Sequence, residues 1–349
     1  MANRTYWGQI KSTNLPSLDL VKIQRDSFDD FLENGIQEVL DEVSPIDDFT
    51  GKNYTLVFGK YSIGKPKHTP EEALKKGVTY DASLKVEATV INKQTGVKNS
   101  QEVFLCDLPI MLKKGAFIIN GIERAVVTQL VRAPGAYYSA EIDPSSGKML
   151  YSCEIRPLRG SWLEFAITKN DIITVKIDRR RKFPVSTFLR AIGFSETEQI
   201  LELFKPILNE NSQKLLNNTL EKDTTESQEE ALLEIYRRMR PGDHVILDNA
   251  KALIENMFFN PRRYSLGKVG RYKIQKRLKR LKEKLSESEE NKTSQVLTTW
   301  DFVSSIAYLF ELIAGNGRLD DIDHLGNRRL RRVGELVAQN AFRIGILRI

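Results

Sequence analysis

Three groups of residues have types and spacings that chemistry could use. Gly59-Lys-Tyr-Ser-Ile-Gly64-Lys65 has the spacing of a phosphate-cradling loop. Its next position is Pro66, where a hydroxyl would hold magnesium, and Lys-His-Thr-Pro70 follows where a helix N-terminus should face the phosphates. It reads as a turn between strands. Asp320, Asp321 and Asp323 form a carboxylate cluster of the kind that holds hard cations, but Arg328, Arg329, Arg331 and Arg332 follow closely, so it reads as a solvated or arginine-paired loop. His68, His244 and His324 are scattered, and Cys106 and Cys153 are the only cysteines. That pattern lacks the spacing of a zinc site, a disulfide framework or a nucleophilic triad. No catalytic constellation and no metal site are expected.

The third group is basic. Arg179, Arg180, Arg181 and Lys182 follow a predicted strand, and residues 262–284 hold eleven Lys or Arg against one acid, Glu283, with Tyr264 and Tyr272 interleaved. Such density can neutralise several phosphates, and it can equally be a solvated helix face. Trp162, between Ser161 and Leu163, fits a core position or a platform on which a base stacks. The net charge of +7 is modest, yet residues 1–50 carry −6, which leaves +13 for the remainder. The basic character belongs to the middle and end of the chain.

These residues need elements to hold them. At about 150 residues per domain, 349 residues suggest two domains. With 41% apolar and 28% charged residues, the composition is that of a folded protein rather than a disordered or fibrous one. Phe28, Phe31, Leu32, Ile36, Val39, Leu40 and Val43 recur at helical spacing, interrupted at Gly35. Residues 84–105 alternate as a hairpin turning at Asn92–Gly96, and Asn120-Gly121 predicts a type I′ turn between β-rich flanks. Another hairpin is expected around Lys169–Asp171. Ser195 with Glu198 reads as a capping box, residues 209–230 as a polar surface excursion, and Phe302, Val303, Ile306, Phe310 and Ile313 as a helix stripe ended by Gly315 and Gly317. The whole is an α+β chain, strand-rich first and helix-rich later. The opening Met1–Gly8 has no apolar leader and no window suits a membrane span. With so few cysteines, a reducing cytoplasm is the expected location.

Several stretches together resemble one family. Phe117-Ile-Ile-Asn-Gly-Ile-Glu-Arg124, Val127-Thr-Gln-Leu-Val-Arg132-Ala-Pro-Gly135, Arg159-Gly-Ser-Trp-Leu-Glu-Phe165 and Ile177-Asp-Arg-Arg-Arg-Lys182 are similar to the N-terminal region of bacterial RNA polymerase beta subunits. So are Tyr236-Arg-Arg-Met-Arg-Pro-Gly242, Arg263-Tyr-Ser-Leu-Gly-Lys-Val-Gly-Arg271 and Ile322-Asp-His-Leu-Gly-Asn-Arg-Arg329. The matches are collinear and span nearly the whole chain. Where the family has His and Ser on either side of Arg132, this chain has Val131 and Ala133.

The resemblance implies a strand-rich protrusion (1–138) carrying an inserted α+β lobe (139–320), with 321–349 returning toward the protrusion and fork of a much longer, here truncated, subunit. It implies that Trp162 stacks on a non-template base, and that Arg132, Asp323 and Arg328 form a pocket for the next one. Arg124 and Val127 match positions bordering an inhibitor pocket, that of the rifamycins. The implied activity is DNA-directed nucleotidyl transfer, with no cofactor in this chain and magnesium held by the partner subunit. The implied partners are DNA, the RNA–DNA hybrid and the beta-prime, alpha and sigma subunits, with no membrane. The implied location is the cytoplasm, at the nucleoid. This chain alone is expected to bind nucleic acid weakly and to polymerise nothing. Two rivals remain: a stand-alone nucleic-acid-binding module, and an NTPase using Gly59–Lys65.

Overall fold

The computed structural model describes residues 19–285 and 294–348; the Met1–Gly8 stretch and Ile349 lie outside them. The architecture is α+β, in two compact units, one within Met1–Leu130 and Leu330–Ile349, the other Val131–Arg329.

In the first unit, helices α1 (Lys22–Asp30) and α2 (Ile36–Val43) are joined by a π-helical turn, Phe31–Gly35, so the interruption expected at Gly35 is a widened turn within continuous helix. Strands β1 (Ile46–Asp47), β2 (Tyr54–Ile63), β3 (Asp81–Asn92) and β4 (Lys98–Pro109) form an antiparallel sheet in that order, with α3 (Pro70–Lys76) between β2 and β3. Leu84 and Val86, two residues apart on β3, turn into a core with Phe28, Phe31, Ile36 and Leu40. The glycine-and-lysine stretch 59–65 is not the expected turn. Its first five residues are the end of β2, bulged between Phe58 and Tyr61, and the Gly64 N–H donates to the Ser83 carbonyl. A ladder strand has no ring of free amides for a phosphate, so the NTPase reading falls. β5 (Phe117–Ile119) and β6 (Ile122–Arg124) form the predicted tight hairpin, with Asn120 at φ +51° and Gly121 at φ +73°.

β7 (Gln129–Arg132) leads into the second unit. There β8 (Gly135–Ile142), β9 (Met149–Arg156), β10 (Leu163–Ile167), β11 (Ile173–Ile177) and β12 (Phe183–Pro184) form an antiparallel sheet in sequence order. The unit begins at Val131, ahead of the 138/139 boundary drawn from the sequence, because β8 pairs with β9 from Gly135 to Ile142. It ends at Arg329, beyond 320.

Among the described residues these helices follow: α4 (Val185–Ala191), α5 (Thr197–Phe204), α6 (Glu210–Lys222), α7 (Gln228–Met239), α8 (Leu247–Ile254), α9 (Gly267–Lys284) and α10 (Thr299–Ile313). They cover the sheet face formed by Cys153, Ile155, Phe165 and Val175, with Phe188 and Phe302 meeting edge-to-face at 5.1 Å. The polar stretch 209–230 is not a surface excursion. It contains the whole of α6 and the start of α7, and Leu215, Leu216, Ser212 and Thr219 are buried, the Thr219 hydroxyl accepting from the Ile173 N–H at 3.0 Å. The cap expected at Ser195 falls one residue later, where Glu196 and Gln199 form the box for α5.

The chain then leaves through β13 (Arg328–Arg331), which pairs with β7. It rejoins the first unit as α11 (Val333–Leu336), a π-helical turn Val337–Phe342, and α12 (Arg343–Ile346). Phe342 closes on Phe31 with ring centroids 6.0 Å apart. Among the described residues, no helix is long and apolar enough to cross a membrane.

Candidate nucleic-acid interface

The register of the second sheet builds the candidate site. Leu163 pairs with Ile155 on one side and Ile177 on the other, all three facing the core. Their neighbours Trp162, Arg156 and Asp178 are therefore brought side by side. The Arg156 guanidinium lies 4.2 Å from the Trp162 ring centroid and that of Arg179 lies 5.1 Å away. Trp162 is 39% exposed, so it lies at the surface and is not the core residue its strand context allowed.

Asp178 fixes its backbone. The Trp162 N–H donates to Asp178 Oδ1 at 2.7 Å, and the Asp178 N–H donates to the Trp162 carbonyl at 2.9 Å. Asp178 and Arg179 both have positive φ, +47° and +59°, and the Arg180 N–H closes the turn on the Ile177 carbonyl at 2.9 Å. Two successive non-glycine residues in the left-handed region cost about 1 kcal/mol each, a local strain that this doubly bonded turn retains.

Arg132 joins the same cluster through Glu154. Arg132 Nη1 donates to Glu154 Oε2 at 2.6 Å, and Arg156 Nε donates to that same oxygen at 2.9 Å. Beyond Arg132, the Ala133 N–H donates to the Asn327 carbonyl at 2.9 Å, and Tyr137 Oη donates to the Ala133 carbonyl at 2.7 Å. Burial pushes the Tyr137 phenol up to about 12; the Asp320 charge adds to the rise, and Arg132 and Arg156 oppose it. The backbone bond from Ala133 to Asn327 holds the 321–328 loop next to Arg132. In that loop Arg328 Nη2 and Asp323 Oδ1 are 3.7 Å apart, and the Asp323 side chain is 88% exposed. Asp323 thus offers an acceptor edge to solvent, while Asp320 is engaged by Arg277 Nη2 at 2.6 Å and by the Tyr138 N–H at 2.9 Å.

The other basic residues divide. Arg179 is beside Trp162, whereas Arg180 donates to the Met239 carbonyl at the end of α7, and Arg181 and Lys182 are exposed further along the turn. On α9 two arginines turn inward and a third, Arg280, pairs with an acid from the surface. Arg271 donates to both carboxylate oxygens of buried Asp301 at 2.9 and 2.8 Å, Arg277 pairs with Asp320, and Arg280 reaches Glu311 at 3.0 Å. Lys268, Lys276 and Lys279 remain on the exposed face with Tyr272; the side chains of Lys282 and Lys284 lie outside the described residues. Part of that basic run is therefore structural.

In the first unit, Arg124 lines a largely apolar pocket of about 630 Å³ with Leu105, Phe117, Val126, Phe342 and Ile346. Val127 is exposed and is not on its wall. Among the described residues no three His, Cys, Asp or Glu side chains gather to hold a metal ion.

Sequence reading missed Glu154, Arg156 and Asp178. The signal was present for two of them: Glu154 and Arg156 alternate with buried Cys153 and Ile155, so the pattern alone puts both on the polar face of a strand.

A family model described as RNA polymerase Rpb2, domain 2, matches residues 132–331, which covers every member of this cluster. The chain belongs to that family. It is 40% identical, across 95% of its length, to the DNA-directed RNA polymerase subunit beta of Geobacillus thermodenitrificans (strain NG80-2), and 41% identical, again across 95%, to that of Geobacillus kaustophilus (strain HTA426). In each case the alignment covers 34% of the relative, so the chain spans about a third of the length of these proteins. It is homologous to their N-terminal part.

Proposed function

We propose that the chain forms one DNA-binding wall of a DNA-directed RNA polymerase, its second unit being the lobe and its first the protrusion. The observation that carries this is the half-exposed Trp162 ring with two guanidiniums against it and Arg132 alongside. An indole offers a base a sequence-tolerant stacking face, and the surrounding arginines supply cations for the backbone and donors for a base edge. Trp162 takes one unpaired non-template base, and Arg132, Asp323 and Arg328 take the next. Arg179, Arg181 and Lys182 lie along the strand's phosphates. Arg124, on the wall of the first unit's apolar pocket, borders the place where rifamycins bind.

The reaction served is nucleotidyl transfer, and its magnesium belongs to the beta-prime subunit. The working assembly adds the alpha and sigma subunits, DNA and the RNA–DNA hybrid, in the cytoplasm at the nucleoid. The isolated chain polymerises nothing, so incorporation of labelled nucleotide by it alone would overturn this part. Co-purification with beta-prime and alpha supports assembly; a free monomer that binds DNA is the outcome expected of a stand-alone module.

Trp162→Ala tests the interface. Stacking contributes about 1–3 kcal/mol per base, so binding to forked DNA should weaken about tenfold while duplex binding is unchanged. Equal loss on both substrates would make Trp162 a structural residue only.

A further inference from the structure

Among the described residues, the bonds that reach Gly326 and Asn327 from outside the 321–328 loop come from Ala133, Tyr137 and Lys273. The Ala133 N–H donates to the Asn327 carbonyl at 2.9 Å, and Tyr137 Oη lies 3.5 Å from the same oxygen. Lys273, on α9, joins these two sides: its Nζ donates to the Gly326 carbonyl at 3.0 Å, and it lies 3.5 Å from Asn327 Oδ1 and 3.4 Å from Tyr137 Oη.

Close packing brings the helix into reach. A Cβ at Gly270 would lie 2.9 Å from Pro134 Cβ, so α9 sits directly on the segment that follows Arg132, and the Lys273 stem runs over Gly135. The ammonium ends 5.6 Å from the Tyr137 ring centroid. Burial favours the neutral amine there and holds this lysine below its ordinary value, with the Asp320 charge opposing. A partly desolvated ammonium binds a carbonyl more strongly than a solvated one does.

The gripped atoms flank two arginines of the interface. Arg132 precedes Ala133 and Arg328 follows Asn327. Within the loop, the Asp323 N–H donates to Asp321 Oδ1 at 2.9 Å, Asn327 Nδ2 donates to the Asp321 carbonyl at 2.7 Å, and the Gly326 N–H donates to His324 Nδ1 at 3.0 Å. Bonds inside a loop set its shape. Its place on the unit is set by bonds from outside, and Lys273 makes one of these from a helix.

We infer that Lys273 is a positioning residue, a latch from α9 that seats the 321–328 loop beside Ala133 and so fixes the spacing of Arg132 and Arg328 that a nucleic-acid strand meets. The part concerning nucleic acid rests on the reading of this surface as a DNA interface. Lys273 acts through the loop and touches no strand itself.

The test uses the full 349-residue chain as wild type, as Lys273→Met, which keeps an apolar stem without the charge, and as Lys273→Arg, which keeps a cation with donors. Hydrogen exchange is read at the Ala133 amide, whose acceptor belongs to the loop, and at the amides of β10 in the sheet. In Lys273→Met, exchange at Ala133 should quicken about tenfold more than in β10, the effect of one lost charge-assisted bond. Lys273→Arg should return Ala133 to within about threefold of the wild type. Labelled forked DNA should bind Lys273→Met about fivefold more weakly, because a loosened loop presents its side chains less precisely. The slope of log affinity against log salt should not change, whereas losing a lysine that contacts phosphate would take about one unit from it.

Equal quickening at Ala133 and in β10 would make Lys273 a residue of the fold alone, and no quickening at Ala133 would show the loop held without it. Either result overturns the inference, as does a salt slope that falls by about one unit. Trp162→Ala separates the latch from the interface reading. If that variant binds forked DNA as well as the wild type, the interface reading fails, and exchange at Ala133 alone decides the latch. If it weakens forked binding while Lys273→Met does not, the interface stands and the latch falls.

Discussion

Tyr138, Tyr264 and Cys153 are weak acids that folding keeps protonated. All three are fully buried, and burial raises each above its ordinary range. The native state then holds protons that the unfolded chain releases once pH passes roughly 8.5 for the thiol and 10 for the phenols. Between those values and the raised native ones the unfolded state binds fewer protons, so stability falls as pH rises, by at most about 1.4 kcal/mol per pH unit per group. Denaturant unfolding of the chain between about pH 8 and 11 should show this decline, and Tyr138→Phe should flatten its steepest part. A decline of the same slope in both proteins would mean that Tyr138 is not titrating on unfolding. The same scale shows what single residues can announce. By type alone the indole of Trp162 and the cations 179–182 suited nucleic acid as well as a core position or a solvated surface. Glu154 announced nothing, because a lone glutamate on a strand acquires its role only when the register and β7 bring two arginines to one of its oxygens.

Elements were legible where a local rule forced them. Asn120-Gly121 accepts positive φ at little cost, so the hairpin followed from two residues. The stretch 209–230 was misread because α6 buries small polar side chains: Ser212 and Thr219 pack inside as Leu215 and Leu216 do, and a reading by hydropathy counts them as surface. The arginines of α9 misled in the opposite sense, since basic residues over so short a span suggest a ligand while three of them answer acids within the unit. The contact of α11 with α1 was invisible in sequence. The Gly334 N–H donates to Ser27 Oγ at 3.0 Å, and a Cβ at Gly334 would lie 2.1 Å from the Ser27 carbonyl oxygen. A backbone oxygen on a helix cannot retreat without breaking its own ladder, so Gly334→Ala should destabilise the first unit by about 3 kcal/mol. Chemical denaturation followed by a probe on that unit would measure it; a change under about 0.5 kcal/mol would mean the helices separate freely.

At the scale of the whole chain, the two units make different demands on continuity. The second is one unbroken stretch, Val131–Arg329, with a large core of its own. The first closes only when Leu330–Ile349 returns to it, burying Val333, Leu336, Phe342 and Ile346. At about 1.5–3 kcal/mol per buried side chain, those four contribute roughly 6–12 kcal/mol, comparable to a domain's entire stability. Residues 131–329 alone should therefore melt cooperatively, whereas residues 1–130 alone should show no cooperative transition by circular dichroism. Cooperative folding of 1–130 would show that the returning helices are dispensable. The sequence by itself determined the α+β class, the hairpins, the family resemblance and the residue types of an interface, because these depend on local backbone preference, periodicity and side-chain chemistry. Only the tertiary structure decided where the units divide, which arginines serve the fold and which face solvent, and that Glu154 joins Arg132 to Arg156. Those depend on strand register and on a chain that returns roughly two hundred residues later, and neither is written in any local window.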